Sequence, residues 1–316
     1  MEDIKLNYTG KIREVEIGAG DKKIKIGGQS ALNFHSFEGE FPNQPVISFE
    51  IWDSKPDEWP DSCIGPFNDV IDDPVSWAKK CINEYGAKCL TVFLNSTDPN
   101  GMNKSAEEVK PVVEKIVKEI DVPLIFWGSG DVKKDIDVLK MVCEVCEGKN
   151  VALGPVVDKN YKQIGGSAIA YKQVVIASSP IDINLAKQLN ILLLELGVPE
   201  NKIIMDPTVG ALGYGIEYTY SVMERDRIAG LLQGDDKLAF PIYCYLSKEV
   251  WKIKEVGILE TIDIKLGKEK ERGIMFEAIT ATLLLLAGAD IVVIRHPETV
   301  KLIDKLREEM CEQLGK

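Results

Sequence analysis

The chain has 316 residues, of which 45% are hydrophobic and 28% charged, the profile of a folded chain of one large domain or two medium ones. With 38 Lys and Arg against 50 Asp and Glu, its formal charge is −12. That balance repels polyphosphate backbones and anionic lipid headgroups alike, so nucleic acid and membrane are excluded as first partners.

Residues 1–44 read as a short N-terminal β extension, in which IKLNY, REVEI and KKIKIGG are separated by Gly10 and by the turn Gly18-Ala19-Gly20-Asp21. From Pro45 the pattern changes to β-branched runs alternating with longer amphipathic segments. Strands are predicted over 45–52, 88–95, 122–128, 151–157, 173–179, 202–206, 238–245 and 290–295. Most are continuous apolar runs, as expected when both faces of a parallel strand are covered. After the second strand, Val109, Val112, Val113, Ile116, Val117 and Ile120 form one helical stripe. Leu185, Ala186, Leu189, Leu192, Leu193 and Leu196 do the same after the fifth. The fourth helix, Lys159 to Tyr171, is weakly patterned. Leu246 to Arg272 is long for a βα loop and, with Trp251 and many charges, is expected over the barrel mouth.

Eight βα units in one chain of this length have the rhythm of an α/β fold, a (β/α)8 TIM barrel, with an open doubly wound sheet as the alternative. No repeat, low-complexity stretch or linker divides residues 45–316, which are read as one domain. The start MEDIKLNY lacks an apolar signal core, and the run from Thr282 to Ile294 is interrupted by Gly288 and Asp290 and too short to span a bilayer. Seven scattered cysteines, at 63, 81, 89, 143, 146, 244 and 311, fit reduced thiols better than a disulfide framework, so a cytoplasmic location is expected.

In a closed barrel the carboxyl ends of the strands form the functional face. This nominates Trp52 and Asp53, then Asn95 and Asp98, Gly128 to Asp131, Ser178 and Ser179, the loop Asp206 to Gly215, and Arg295 with His296. In the 206–215 loop three glycines and a proline let backbone pass close to a flat or bulky ligand; a tight turn tied to a carboxylate is the plainer reading. Gly128 and Gly130 could open the mouth, but Asp131 or Ser129 as a helix cap is favoured. Asn95 and Asp98 could bind an amide-bearing heterocycle or form an Asx turn. Arg295 could anchor an anionic or amide group, while His296 could equally start the last helix. Cys143-x-x-Cys146 lies on one helical stripe with Ile136 and Leu139 and reads as buried thiols. His35, flanked by aromatics, reads as packed and hydrogen-bonded. With two histidines in the chain, no catalytic acid or base and no metal site is assigned.

Four segments carry a family resemblance: LNFHSFEGEFPNQPVISFEIWD, SSPIDINLAKQLNIL, DPTVGALGYGIEYTYSVMER and KEKERGIMFEAITATLLLLAGADIVVIRHPE. Between about Gly27 and Met310 the chain resembles the small (delta) subunit of the corrinoid iron-sulfur protein of the anaerobic acetyl-CoA pathway. The resemblance implies a barrel paired with a corrinoid iron-sulfur protein large subunit that carries a [4Fe-4S] cluster, with a cobamide (corrinoid) held between the two. It further implies a methyl group received from methyltetrahydrofolate through a methyltransferase and passed to acetyl-CoA synthase/carbon monoxide dehydrogenase. The chain has neither a four-cysteine cluster run nor an Asp-x-His-x-x-Gly corrinoid signature, so it is expected to cap the cobamide rather than hold it alone. Barrel geometry and the motif match together nominate Asp206, Gly210, Gly213, Tyr214 and Gly215 as corrin-facing, followed by Asn95, Asp98 and Arg295. Gly213→Val is expected to crowd the mouth. The alternative is a self-sufficient pterin-binding methyltransferase using Asn95, Asp98 and Asp206. A phosphate-substrate barrel ranks last, lacking a glycine-rich loop after strand 8 and a lysine at the end of strand 6.

Overall fold

The computed structural model describes residues 5–313, with side chains as far as Lys305. Strands β1 (Glu14–Ile17) and β2 (Ile24–Gly27) form an antiparallel hairpin in which Glu14 faces Gly27 and Ile17 faces Ile24. The expected strand over IKLNY is absent from its described part, 5–8, and the amides of Thr9 and Gly10 donate instead to the Leu231 carbonyl. The hairpin buries Val15, Ile17 and Ile26 against the amino end of the barrel. Its fastenings lie just ahead of barrel strands: Gly18 N donates to Asn150 O, Arg13 N to Ala239 O, and Gln29 Nε2 to Asp290 Oδ1.

Eight parallel strands follow: β3 (Val46–Trp52), β4 (Leu90–Phe93), β5 (Leu124–Trp127), β6 (Ala152–Val156), β7 (Val174–Ser178), β8 (Ile203–Asp206), β9 (Tyr243–Cys244) and β10 (Ile291–Ile294). They pair in the order β8-β7-β6-β5-β4-β3-β10-β9. Met205 on β8 bridges to Ile242 beside β9, and its amide donates to Pro241 O, which closes the ring and decides for a barrel over an open sheet.

The strand expected over 238–245 shortens to two residues because Pro241 has no N–H to give the ladder. Its neighbours are satisfied otherwise: Arg227 donates to Phe240 O, Asp290 accepts from Ile242 N, and Ile242 O accepts from the amides of Asp290 and Ile291. Arg227 and Asp290 are themselves a buried ion pair, 2.6 Å apart.

The helices are α1 (Asp61–Ile64), α2 (Pro74–Asn83), α3 (Ala106–Glu119), α4 (Val132–Val145), α5 (Tyr161–Tyr171), α6 (Ile183–Leu196), α7 (Ile216–Leu231), α8 (Ser247–Val250), α9 (Lys254–Gly257), α10 (Glu269–Leu286) and α11 (Pro297–Gln313). Ser105 and Glu108 form a capping box at the start of α3, which buries Val109, Val113, Ile116 and Val117 as the stripe predicts. On α6 the stripe buries Ala186, Leu189 and Leu193 but leaves Leu185 exposed. Cys143 and Cys146 are fully buried, and burial pushes both thiols well up, Cys143 to about 12.

The 246–272 segment folds as α8, α9 and irregular chain packed on α10. Trp251 anchors it: the indole donates to Glu277 and stacks on His296, and a Cβ at Gly273 would lie 2.5 Å from the indole ring.

Candidate functional site

Successive inward-facing residues stack in layers, and the uppermost is aromatic: Trp52, Phe93, Trp127 and Tyr245. Their rings meet edge to face, with centroids 5.0 Å apart for Trp52 and Phe93 and 5.5 Å for Trp127 and Tyr245. This layer is 4–7% exposed, whereas Ile51, Val92 and Phe126 beside it are sealed, so it forms the floor of the mouth.

Below the floor sits Glu50, whose carboxylate accepts from Trp52 Nε1, Tyr245 OH, Ser247 Oγ and two nitrogens of Arg295, at 3.0 and 2.8 Å. Burial acts to raise this carboxyl, and the Arg295 charge with these hydrogen bonds outweighs it and holds Glu50 below the usual range. The guanidinium lies 3.9 Å over the Trp59 ring and is buried. This corrects the expectation for Arg295: it is spent inside the barrel and offers no donor to a ligand. His296 starts the last helix, its Nδ1 accepting from Glu298 N, and burial pushes it down to about 4.

Around the floor, three carboxylates tie the loops. Asp53 accepts from the amide and hydroxyl of Ser96, joining the loops after β3 and β4. Asp135 reaches back from α4 to the amides of Ser129 and Gly130, and Asp131 caps α4, as favoured from the sequence. A Cβ at Gly128 would fall 2.4 Å from the Asp135 carboxylate, which accounts for that glycine. Asp206 accepts from Ser178 Oγ at 2.7 Å and Thr208 N at 3.0 Å. Burial pushes both Asp135 and Asp206 up to about 6.

The loop from Asp206 to Gly215 folds mainly on itself. Gly210 N donates to Thr219 Oγ1, and Tyr214 N and Ile216 N donate to Ala211 O. A Cβ at Gly210 would lie 2.6 Å from the Gly215 carbonyl, so that glycine serves the loop's own packing. Gly213, at φ +77°, and Gly215, at φ +94°, are left-handed, and a Cβ at Gly213 meets nothing within 4 Å. At the Cβ position itself Gly213 has open space, and its left-handed backbone is what a side chain there would strain. Tyr214 is half-exposed on the outer rim, its hydroxyl donating to Glu255 at 2.6 Å. Asp98 makes the Asx turn, accepting from Asn100 N, whereas Asn95 stays half-buried near Ser54, 3.5 Å away. Of the residues nominated from sequence, the structure brings Asp206 and Asn95 to the mouth and leaves Tyr214, Asp98 and Arg295 outside its centre.

Three residues of the site escaped the sequence reading. Glu50 carried a signal, being the one charge in VISFEIW. Asp135 is an inward residue of the first turn of α4. Lys248, on α8, extends from the β9 side so that its ammonium lies 4.9 Å from the centre of the Phe93 ring. Neither histidine lies on the floor, and no three His, Cys, Asp or Glu side chains among the described residues converge on a possible metal site.

The chain matches the family model for the CO dehydrogenase/acetyl-CoA synthase delta subunit (CdhD) over residues 14–311. It is 37% identical to the acetyl-CoA decarbonylase/synthase complex subunit delta of Methanopyrus kandleri, over 96% of this chain and 76% of that one. The same subunit of Methanothermobacter thermautotrophicus is 35% identical over 97% and 78%. In fold it is similar to dihydropteroate synthase of Xanthomonas albilineans, with a TM-score of 0.61 at 13% identity, covering 94% of this chain and 99% of that one. The Vibrio fischeri dihydropteroate synthase gives 0.60 at 14%, covering 87% and 96%. No helix among the described residues is long and apolar enough to cross a membrane. With a family match across nearly the whole chain, and an aromatic-floored barrel built under it, this chain belongs to the CO dehydrogenase/acetyl-CoA synthase delta subunit family.

Proposed function

We propose that this chain is the small subunit of a corrinoid methyl carrier, and that its barrel mouth covers a cobamide held with the large subunit. The observation that carries the reading is the mouth itself. An aromatic floor is ringed by carboxylates whose oxygens are already engaged by Ser96, Ser129, Gly130, Ser178 and Thr208. Such a surface suits contact with a broad planar face, and its carboxylates are held by their own hydrogen bonds rather than poised to cut a bond.

When bound, the cobamide supplies the cobalt that takes up and releases the methyl group. This chain's part is to exclude water with Trp52, Phe93, Trp127 and Tyr245, which floor the mouth. In this reading the large subunit brings the [4Fe-4S] cluster, a methyltransferase supplies the methyl group from methyltetrahydrofolate, and acetyl-CoA synthase receives it. The six described cysteines, all free and buried, suit the reducing cytoplasm in which these partners would work.

The test is the anaerobic ultraviolet–visible spectrum of the chain purified alone and with its large subunit, each supplied with cobamide. Corrinoid bands confined to the co-purified sample are expected. Strong bands on the isolated chain would move the cofactor wholly into this barrel. A soluble complex without corrinoid, joined to tight tetrahydrofolate binding by the isolated chain, would replace this reading with a pterin-binding methyltransferase.

A further inference from the structure

In the barrel ring, β9 stands across from β4 and β5. Lys248 leaves the β9 side four residues after that strand ends, yet its ammonium rests over Phe93 at the carboxyl end of β4. Its charge is felt by Asp206 at the end of β8 and it feels Asp135 beside β5. The side chain thus spans the centre of the mouth, above the aromatic floor.

No carboxylate among the described residues lies within ion-pairing distance of this ammonium, and it makes no hydrogen bond to them. Asp135 and Asp206 are nearby in the mouth, but their oxygens are engaged by Ser129, Gly130, Ser178 and Thr208. Burial, with Lys252 close by, pushes the Lys248 amine below its usual value. Lys248 is half-buried, its ammonium rests against the face of Phe93, and no fold hydrogen bond uses its three N–H donors.

We propose that Lys248 is the donor by which the barrel mouth holds an amide-type carbonyl oxygen of its ligand. The surrounding carboxylates disfavour a full anion, and the ammonium disfavours a cation, which leaves a neutral acceptor lying against an aromatic surface. Two sources carry that chemistry: a carboxamide on the rim of the corrin ring, which rests on the function proposed above, and the ring carbonyl of a free pterin, which does not.

The experiment compares wild type, Lys248→Met and Lys248→Arg. Cobamide retained by the complex with the large subunit is read from its spectrum after gel filtration, tetrahydrofolate binding to the isolated chain by calorimetry, and the melting temperature of each variant by circular dichroism. Lys248→Met is expected to weaken ligand retention about tenfold, the effect of one charged hydrogen bond, with an unchanged or higher melting temperature. Lys248→Arg should keep part of the retention. Loss confined to cobamide assigns the carbonyl to the corrin, and loss confined to tetrahydrofolate assigns it to a pterin. The second outcome upholds the donor role even where the carrier function fails. The inference is overturned if Lys248→Met retains both ligands like wild type, if wild type binds neither, or if the substitution lowers the melting temperature as removal of a packing residue would.

Discussion

Glu50 and Arg295 lie 245 residues apart in sequence and 2.8 Å apart in the fold. Their ion pair is sealed, with side chains 0% and 4% exposed, and Tyr245 and Ser247 complete the carboxylate's partners. Removing one member of such a pair strands the other charge in a medium that solvates it poorly. Arg295→Met should therefore destabilise the chain by about 3–5 kcal/mol in urea unfolding, and adding Glu50→Gln should restore much of it. An unchanged unfolding midpoint for the single variant would mean that the pair is solvated. The sequence reading passed over Glu50, the one charge in an apolar strand, and placed Arg295 at the mouth. It could not say that the two meet, because that depends on β3 and β10, the first and last barrel strands, lying side by side with Ile294 against Phe49.

At the scale of elements, the loop from Asp206 to Gly215 separates two uses of glycine. Gly210 is needed because backbone lies against it, and Gly213 because its φ is positive. Gly213→Ala should cost about 1–2 kcal/mol of local strain while keeping the loop's shape. Gly210→Ala must push the Gly215 carbonyl away, so faster amide exchange across 206–216 is expected in that variant and not in Gly213→Ala. Equal protection in both would place the loop's rigidity elsewhere, in Asp206 and its bonds to Ser178 and Thr208. The glycine count pointed to a ligand-facing loop, yet spacing alone cannot tell a glycine that admits a ligand from one that admits its own chain. Helical stripes were more legible: Val109, Val113 and Ile116 face the sheet because a 3.6-residue period leaves them no other side.

For the whole molecule, acid stability sums opposing groups. His296, pushed down to about 4, stays neutral in the fold while the unfolded chain protonates it below about 6.5. Its contribution is present at neutral pH and is lost as pH falls through that window. Asp135 and Asp206, raised to about 6, act the other way: the fold holds their protons where the unfolded chain has released them. Their contribution is full below about pH 4 and is lost as pH rises towards 6. Asp206→Asn removes one of these opposing groups. Relative to wild type it should gain more stability at pH 7 than near pH 4 in urea unfolding, and an equal change at both would show that Asp206 titrates normally.

The sequence by itself determined the alternation of strands and helices, the positions of nearly all the strands, the family, and the rim to search for a site. These are local or additive properties: hydrophobic period, turn chemistry and segment order act over a few residues at a time. Tertiary structure alone decided that Met205 meets Ile242 to close the ring, that Pro241 shortens β9, and that the hairpin covers the amino end. It also decided that Arg295 turns inward while Lys248 crosses the mouth. Those outcomes depend on which charges and carbonyls find partners once distant segments are brought together, and a buried polar group is committed by its neighbours in space rather than in sequence.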